Sequence, residues 1–134
     1  MRVAIYPGSF NPWHKGHDDI LDKALEVFDM VVVAQGINPL KSEPKVIQTN
    51  YHGNRVTVEK YNGLLKDYID ANPQLKICAI VKGLRNTQDL EYEKVQQYYN
   101  EDLGIKLPVV YFISDRGLTH ISSSAERALE GFKK

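Results

Sequence analysis

Short apolar runs rich in β-branched residues alternate along this chain with segments in which apolar residues recur every three or four positions. The runs lie at residues 3–6, 31–34, 56–58, 77–81 and 109–113. The segments with the helical period cover residues 20–28, 64–69 and 90–99. Buried strands produce the first pattern, and amphipathic helices produce the second. The sequence therefore predicts a chain in which strands and helices alternate.

This alternation predicts an α/β fold class, with a Rossmann-like, doubly wound sheet of five parallel strands and helices on both faces. In such sheets, ligands bind at the carboxyl ends of the strands. A length of 134 residues suits one core of ordinary size, so we expect residues 1–134 to form a single domain.

The segment from Pro7 to His17 follows the first strand directly and reads Pro-Gly-Ser-Phe-Asn-Pro-Trp-His-Lys-Gly-His. A strand that ends in a glycine turn and leads into a helix directs backbone N–H groups and the positive end of the helix dipole at one place. We therefore expect a phosphate site here. His14 and His17 are three residues apart, so both imidazoles can face this site if the helix begins near Lys15.

Two other interpretations of the histidine pair stay open. An isolated His-x-x-His pair is more often part of a helix-capping loop than a ligand site. Zinc would need further ligands, but the single cysteine, Cys78, lies in an apolar run where we expect it to be core, and the chain has no His-Glu-x-x-His pattern. We therefore expect no metal ligands from the protein, and Gly8 and Ser9 at the turn favour phosphate.

Three further loops should reach the same edge of the sheet. The loop after the second strand contains Asn38-Pro39-Leu40-Lys41, and the loop after the fourth reads Lys82-Gly83-Leu84-Arg85. The loop after the fifth ends in Ser122-Ser123-Ser124, which suits either a plain N-cap of a last helix or a second phosphate contact. Residues 37–54 are irregular, and we interpret them as an ordered or partly mobile loop that could act as a lid.

The amino-acid composition limits the classes of binding partner that we expect for this chain. Seventeen basic residues balance seventeen acidic ones, so the chain has no overall field that would attract a nucleic acid. No apolar stretch approaches the roughly 20 residues of a membrane helix, and we expect no membrane partner. With one cysteine and no secretory signal pattern, we expect a cytoplasmic protein. Local cations instead favour small phosphorylated ligands: Lys41, Lys82, Arg85, Arg116 and Arg127.

Four segments together carry a resemblance to a known family. They are residues 4–17, 38–41, 82–93 and 121–124. The chain resembles the nucleotidyltransferases with a (His or Thr)-x-Gly-His signature, and most closely the pantetheine-phosphate adenylyltransferase family. The first and last segments mark the superfamily, whereas residues 82–93 are closer to the specific enzymes.

The resemblance implies a reaction and its site residues. The phosphate of 4′-phosphopantetheine would attack the α-phosphorus of ATP, with Mg²⁺ assisting, to give dephospho-coenzyme A and pyrophosphate. The implied catalytic residues are His17, Lys41 and Arg85. The implied ATP contacts are Ser9, Phe10, His14, His17, Gly83, Leu84, Arg85, Glu93, Leu118, Thr119, His120, Ile121, Ser122, Ser123 and Ser124. The implied acceptor contacts are Ser9, Lys41, Leu65, Lys82 and Asn100, and the family implies a homo-oligomer, specifically a hexamer.

This chemistry needs no general base. A phosphate monoester has a second pKa of about 6, so the nucleophile is already mostly dianionic near neutral pH. The site must instead align two anions that repel each other and supply donors to the charge that develops on the α-phosphate and the leaving pyrophosphate. His17, Lys41, Lys82 and Arg85 suit that task.

The chain departs from the family pattern at three positions. Lys82 stands where the family usually has arginine, Glu126 stands in a usually apolar pair, and Ala128 lacks an acidic group. Two alternative functions therefore stay open. The first is nucleotidyl transfer to another acceptor, such as adenylyl transfer to nicotinamide mononucleotide or cytidylyl transfer to glycerol phosphate. The second is a catalytically inactive module that binds nucleotide or coenzyme A.

Overall fold

The five strands and the first three helices that the sequence predicts are present. The computed structural model describes residues 1–10, 12–37, 47, 54–85 and 87–114. The strands are β1 (Val3–Gly8), β2 (Met30–Ile37), β3 (Val56–Asn62), β4 (Ile77–Leu84) and β5 (Val109–Ile113). The helices are α1 (Lys15–Val27), α2 (Leu65–Ala71) and α3 (Thr87–Asp102), with a short 3-10 turn at Pro73–Leu75. The predicted last helix lies outside the described residues.

The strands form one parallel sheet in the order β3-β2-β1-β4-β5. The chain builds outward from β1 through β2 to β3, and then returns to the other side of β1 with β4. The order therefore reverses between β1 and β4, which is where α/β sheets of this kind open a crevice for ligands. The predicted doubly wound fold is confirmed.

Helices cover both faces of the sheet, as predicted. On one face, α1 packs Ile20, Leu21 and Ala24 against strand residues such as Tyr6 and Val33. On the other face, Leu65, Tyr68 and Ile69 of α2 pack with Ile5 and other strand residues. The alternating side chains of the central strands are thus buried on both faces, which is why their sequences are continuously apolar.

The strands extend beyond the apolar runs at their carboxyl ends. Lys82, Gly83 and Leu84 belong to β4 and pair with β5, so the prediction that they form a loop is wrong. Ladder hydrogen bonds require only backbone groups, so a strand continues past the point where its side chains leave the core. Arg85 alone of this group lies past the strand end.

Cys78 is exposed, and its prediction as a core residue is also wrong. The pairing of β1 with β4 shifts here, because Val3 pairs with Ile77 whereas Ala4 pairs with Ala79. Cys78 is therefore the extra residue of a bulge at the start of β4. Bulges redirect side chains, which explains an exposed cysteine within an apolar run.

Most of the predicted loop at 37–54 lies outside the described residues. Ile47 is an exception, and its side chain is buried in the core on the α1 face. Within the part of the chain that the structure describes, no helix is both long and apolar enough to cross a bilayer.

Candidate active site

The turn between β1 and α1 brings the two predicted histidines together. The helix begins at Lys15, as expected, with His14 as its N-cap. Nδ1 of His14 accepts the Gly16 N–H at 3.1 Å, and Nδ1 of His17 accepts the His14 N–H at 3.1 Å. These reciprocal bonds form a capping box, and they stack the two imidazoles with centroids 3.7 Å apart. The capping interpretation is therefore confirmed, and the same bonds orient both rings.

His17 is held in its neutral form. Burial is the main cause that lowers its pKa from 6.5 to about 3, and the nearby charges of His14 and Arg85 lower the pKa further. Because Nδ1 accepts the backbone N–H of His14, the proton of the neutral ring lies on Nε2. Near neutral pH, His17 therefore offers an oriented N–H donor rather than a positive charge.

Aromatic packing fixes the turn itself. The ring of Phe10 is buried and lies 5.0 Å, centroid to centroid, from each of Tyr6, Trp13 and His17. The backbone of Phe10 has φ +48°, in the left-handed region that non-glycine residues rarely adopt. A Cβ on Gly8 would approach the Phe10 ring to 2.9 Å, so the turn requires glycine there. Such local strain persists only where the surroundings fix the backbone.

Trp13 is tied to the first turn of α1. Its indole N–H donates to a carboxylate oxygen of Asp18 at 2.8 Å, and its ring lies 5.1 Å from that of His17. The sequence pattern does not indicate this role. Trp13 is consequently held against the start of α1, while Ser9 is exposed.

A cavity of about 240 Å³ adjoins this turn and shares Pro7 and Gly8 with it. Three residues predicted to contact an acceptor line it, namely Leu65, Lys82 and Asn100. The remaining lining residues are Tyr61, Gly63, Leu64, Lys66, Gln96, Leu103 and Ile105. The walls thus combine apolar side chains with a few amides and amines. Such a pocket suits a ligand with an apolar or amide-containing arm and one anionic end.

Sequence patterns did not identify Tyr61, Lys66 and Gln96 as residues of this cavity. Tyr61 is the next-to-last residue of β3, shortly before Gly63, and its ring packs 5.7 Å from that of Tyr68. An aromatic residue beside a glycine at the carboxyl end of a strand is a signal that could have indicated it. The placement of Gln96 depends on how α3 packs, and no local pattern predicts that.

The far side of the crevice carries the cations of β4. Lys82 is half-buried, and its amine lies 4.0 Å from a carboxylate oxygen of Glu93 on α3. Glu93 on α3 therefore lies near the lysine of β4. Arg85 is exposed just past the end of β4, and its charge is close enough to influence His17.

Gly83 lies in β4 directly against α1. A Cβ at this position would lie 2.9 Å from Cγ1 of Ile20, which is tighter than ordinary packing allows. The predicted nucleotide-contact residue thus also has a packing role, because it sets how closely α1 approaches the sheet. The close approach of α1 to the sheet in turn holds the N-terminus of α1 beside β4.

Several predicted site residues lie outside the described part of the chain. They are Lys41, the segment Leu118, Thr119, His120, Ile121, Ser122, Ser123 and Ser124, and the departures Glu126 and Ala128. Among the residues that the structure describes, no group of three or more His, Cys, Asp or Glu side chains could hold a metal ion.

Comparison with known proteins relates this arrangement to a family. The cytidylyltransferase-like family matches residues 5–129. A phosphopantetheine adenylyltransferase of Mycoplasma capricolum is 40% identical, and the match covers 100% of both chains. A phosphopantetheine adenylyltransferase of Syntrophomonas wolfei is also 40% identical, over 98% of this chain and 86% of that protein.

A solved structure supports the fold independently. The crystal structure of a lipopolysaccharide core biosynthesis protein from Thermoplasma volcanium superposes with a TM-score of 0.54. It covers 85% of this chain and 98% of that protein, at 20% identity. At this level of identity the likeness concerns the arrangement of strands and helices alone.

Proposed function

This chain belongs to the cytidylyltransferase-like family, and we propose that it transfers the adenylyl group of ATP to 4′-phosphopantetheine. Relatives that match nearly the whole chain are named phosphopantetheine adenylyltransferases. The geometric observation that carries the proposal is the cavity that shares Gly8 with the β1–α1 turn and is lined by two lysines, Lys66 and Lys82. An acceptor with an amide-containing arm and a terminal phosphate fits a pocket that ends at a site for a second phosphate group.

The reaction is an in-line displacement at the α-phosphorus of ATP. An oxygen of the acceptor phosphate forms the new bond to that phosphorus, and the bond to the bridging oxygen of the β-phosphate breaks. The products are dephospho-coenzyme A and pyrophosphate. Since the nucleophile is already ionised, the protein contributes alignment of the two phosphates and stabilisation of the developing charge.

His17 supplies a donor to the phosphates of ATP. Its Nε2–H is oriented by the capping box and lies at the N-terminus of α1, where the helix dipole also favours an anion. A neutral donor stabilises developing negative charge without having to lose a proton during the reaction. The exposed Ser9 provides a hydroxyl and an N–H at the same turn.

Lys82 receives the acceptor phosphate in this account, and Leu65 and Asn100 contact its arm. All three line the same cavity. Arg85, at the end of β4, and Glu93, beside Lys82, lie on the nucleotide side. Lys41 and residues 118–124 complete the proposed contacts to the acceptor and ATP respectively.

We propose that Mg²⁺ enters with ATP. The described residues provide no cluster of three or more ligating side chains, and Mg²⁺ commonly binds through substrate phosphates and water with few protein ligands. The ion would neutralise part of the charge on the β- and γ-phosphates. The hydrogen-bond donors of the β1–α1 turn would act on the α-phosphate.

The proposal also covers the cellular location, the partners and the assembly of the enzyme. We propose a cytoplasmic protein that acts on small molecules in coenzyme A biosynthesis and needs neither a nucleic acid nor a membrane. We also propose that it assembles as a homo-oligomer, for which the family resemblance implies a hexamer. Light scattering of the purified protein tests the assembly.

Product analysis tests the proposed function. The protein is incubated with Mg²⁺ and either ATP or CTP, together with 4′-phosphopantetheine, nicotinamide mononucleotide or glycerol phosphate, and the products are identified by mass spectrometry. We expect dephospho-coenzyme A from ATP and 4′-phosphopantetheine alone. Product from a different pair of nucleotide and acceptor would show that the protein uses another acceptor or another nucleotide. Binding of ATP or coenzyme A without any product would favour the inactive binding module.

A further inference from the structure

A buried glutamine lies directly beneath the phosphate turn. Gln35 is at the carboxyl end of β2 and is 0% exposed, after a run of four buried apolar residues at 31–34. Strand alternation places its side chain on the same face as that of Val33, which packs in the core under α1. A polar side chain in such a place is unfavourable unless its hydrogen bonds are made.

The amide of Gln35 reaches the turn that follows β1. Its Nε2 donates to the backbone carbonyl of Ser9 at 3.1 Å. Gln35 pairs in register with Gly8, so this bond crosses from β2 to the first residue beyond the end of β1. A carbonyl oxygen only accepts hydrogen bonds, and therefore the interaction requires the donor end of the amide.

This hydrogen bond supports the part of the turn whose backbone conformation is least favourable. The next residue, Phe10, has a backbone φ of +48°, which is unfavourable for a phenylalanine. The buried ring of Phe10 holds the turn on one side. The hydrogen bond from Gln35 to Ser9 holds the preceding peptide on the other, and so fixes the direction of the N–H groups that follow.

We propose that Gln35 is a positioning residue for ATP. It fixes the peptide between Ser9 and Phe10, so that the amide and hydroxyl of the turn meet the nucleotide phosphates without reorganisation. This inference rests on the proposed adenylyl transfer, since it assigns the phosphates of ATP to this turn. Gln35 itself is buried and touches no substrate, so it acts through Ser9.

The variant Gln35→Met tests this role, because methionine has nearly the same shape and lacks the donor. The matched control is Val33→Ala, which removes volume from a fully buried residue on the same strand and face but makes no bond to the turn. Circular dichroism melts identify the temperature at which both variants are folded. ATP affinity is then measured by calorimetry with Mg²⁺ and without an acceptor, and kcat is measured with 4′-phosphopantetheine.

We expect Gln35→Met to weaken ATP binding about tenfold and to lower kcat roughly 10- to 100-fold, since small displacements of a positioned group have effects of this size. The KM for 4′-phosphopantetheine should change less than the affinity for ATP, because the acceptor contacts that line the cavity, Leu65, Lys82 and Asn100, are not altered. We expect Val33→Ala to melt at a lower temperature and to keep wild-type ATP affinity and kcat.

Two results would overturn the role of Gln35. One is a folded Gln35→Met variant with the ATP affinity and kcat of the wild type. The other is a Val33→Ala variant that loses ATP affinity to the same degree, since the loss would then follow from stability. A wild-type protein that binds ATP but does not react with 4′-phosphopantetheine would refute the proposed function alone, and the comparison of ATP affinities would still decide the role of Gln35.

Discussion

The imidazole rings of His14 and His17 stack with their centroids 3.7 Å apart, and Nδ1 of each ring accepts a backbone N–H at the start of α1. The pair therefore caps the helix, and the same bonds direct the Nε2–H of His17 away from the capped backbone. Helix capping and phosphate binding are consequently compatible roles of one short motif.

His17 should remain neutral across the working range of pH. Burial and the nearby charges of His14 and Arg85 lower its pKa to about 3. In nitrogen-detected NMR of the protein without ligands, we expect His17 as the Nε2–H tautomer from about pH 8 down to about pH 5, where an ordinary histidine is mostly protonated. Titration of His17 near pH 6.5 would contradict this account of its environment.

The same shift makes stability depend on pH. Below about pH 6.5 the unfolded chain binds a proton at His17, whereas the folded protein does not until the pH approaches 3. The free energy of unfolding should therefore fall as the pH is lowered through this range. The variant His17→Gln does not titrate and should lose this part of the pH dependence in urea unfolding experiments.

Gly83→Ala should destabilise the fold by about 1–3 kcal/mol, because the new Cβ would lie 2.9 Å from Ile20 and overpack the contact between β4 and α1. Urea unfolding measures the change. Ile20→Ala removes the Cγ1 atom that the new Cβ would meet, so it should cost less stability in the Gly83→Ala background than in the wild type. Equal costs in both backgrounds would show that the two positions do not interact.

Lys82→Ala should raise the KM for the acceptor roughly 10- to 100-fold, because a charge-assisted hydrogen bond to phosphate contributes about 1.5–3 kcal/mol. The KM for ATP should change much less. Lys82→Arg should retain most of the acceptor affinity, since the guanidinium also binds phosphate. Lys94→Ala is the matched control, because that lysine is exposed on α3 and lies beside Glu91. If the ATP KM rose instead, Lys82 would belong to the nucleotide side.

Arg55 should matter for stability and not for turnover. Its guanidinium donates to the backbone carbonyls of Leu25, Phe28 and Asp29, where α1 ends and the chain enters β2. Arg55→Met should lower the free energy of unfolding by about 2 kcal/mol, since these carbonyls lose a charged donor. Kcat should be unchanged at a temperature where the variant is folded.

The control for Arg55→Met is the same substitution at an exposed position on β3. Lys60→Met should change the free energy of unfolding by less than about 0.5 kcal/mol. If the two variants were equally stable, the bonds of Arg55 to the end of α1 would contribute nothing to the fold.

The apolar pattern predicts the strands but not where they end. Four strands continue past their apolar runs: β1 to Gly8, β2 to Ile37, β3 to Asn62 and β4 to Leu84. Apolar side chains indicate burial in the core, whereas the sheet continues wherever backbone groups pair. The carboxyl ends of the strands lie at the site and therefore carry glycine and polar residues. The apolar signal for a strand is consequently lost at the positions that matter for function.

The candidate site divides in a similar way. The turn around His17 could be predicted because strand, glycine turn and helix start are adjacent in sequence. The place of Gln96 in the cavity could not be predicted, because packing between distant elements brings it to β1. Tyr61 carried only the local signal of an aromatic residue beside a glycine at the end of a strand. Gln35 gave no sequence signal beyond a single polar residue after an apolar run, and its significance depends on the carbonyl of Ser9, 26 residues away.

Pyrophosphate release by the wild type and by His17→Ala, measured at saturating ATP, Mg²⁺ and 4′-phosphopantetheine, tests whether the β1–α1 turn carries adenylyl transfer. Loss of one donor to developing phosphate charge typically costs roughly 100- to 1,000-fold in rate, so we predict a decrease of that size in kcat. Circular dichroism should show that the variant remains folded at the assay temperature. A folded His17→Ala protein that keeps most of the wild-type rate would contradict the claim that the β1–α1 turn carries adenylyl transfer.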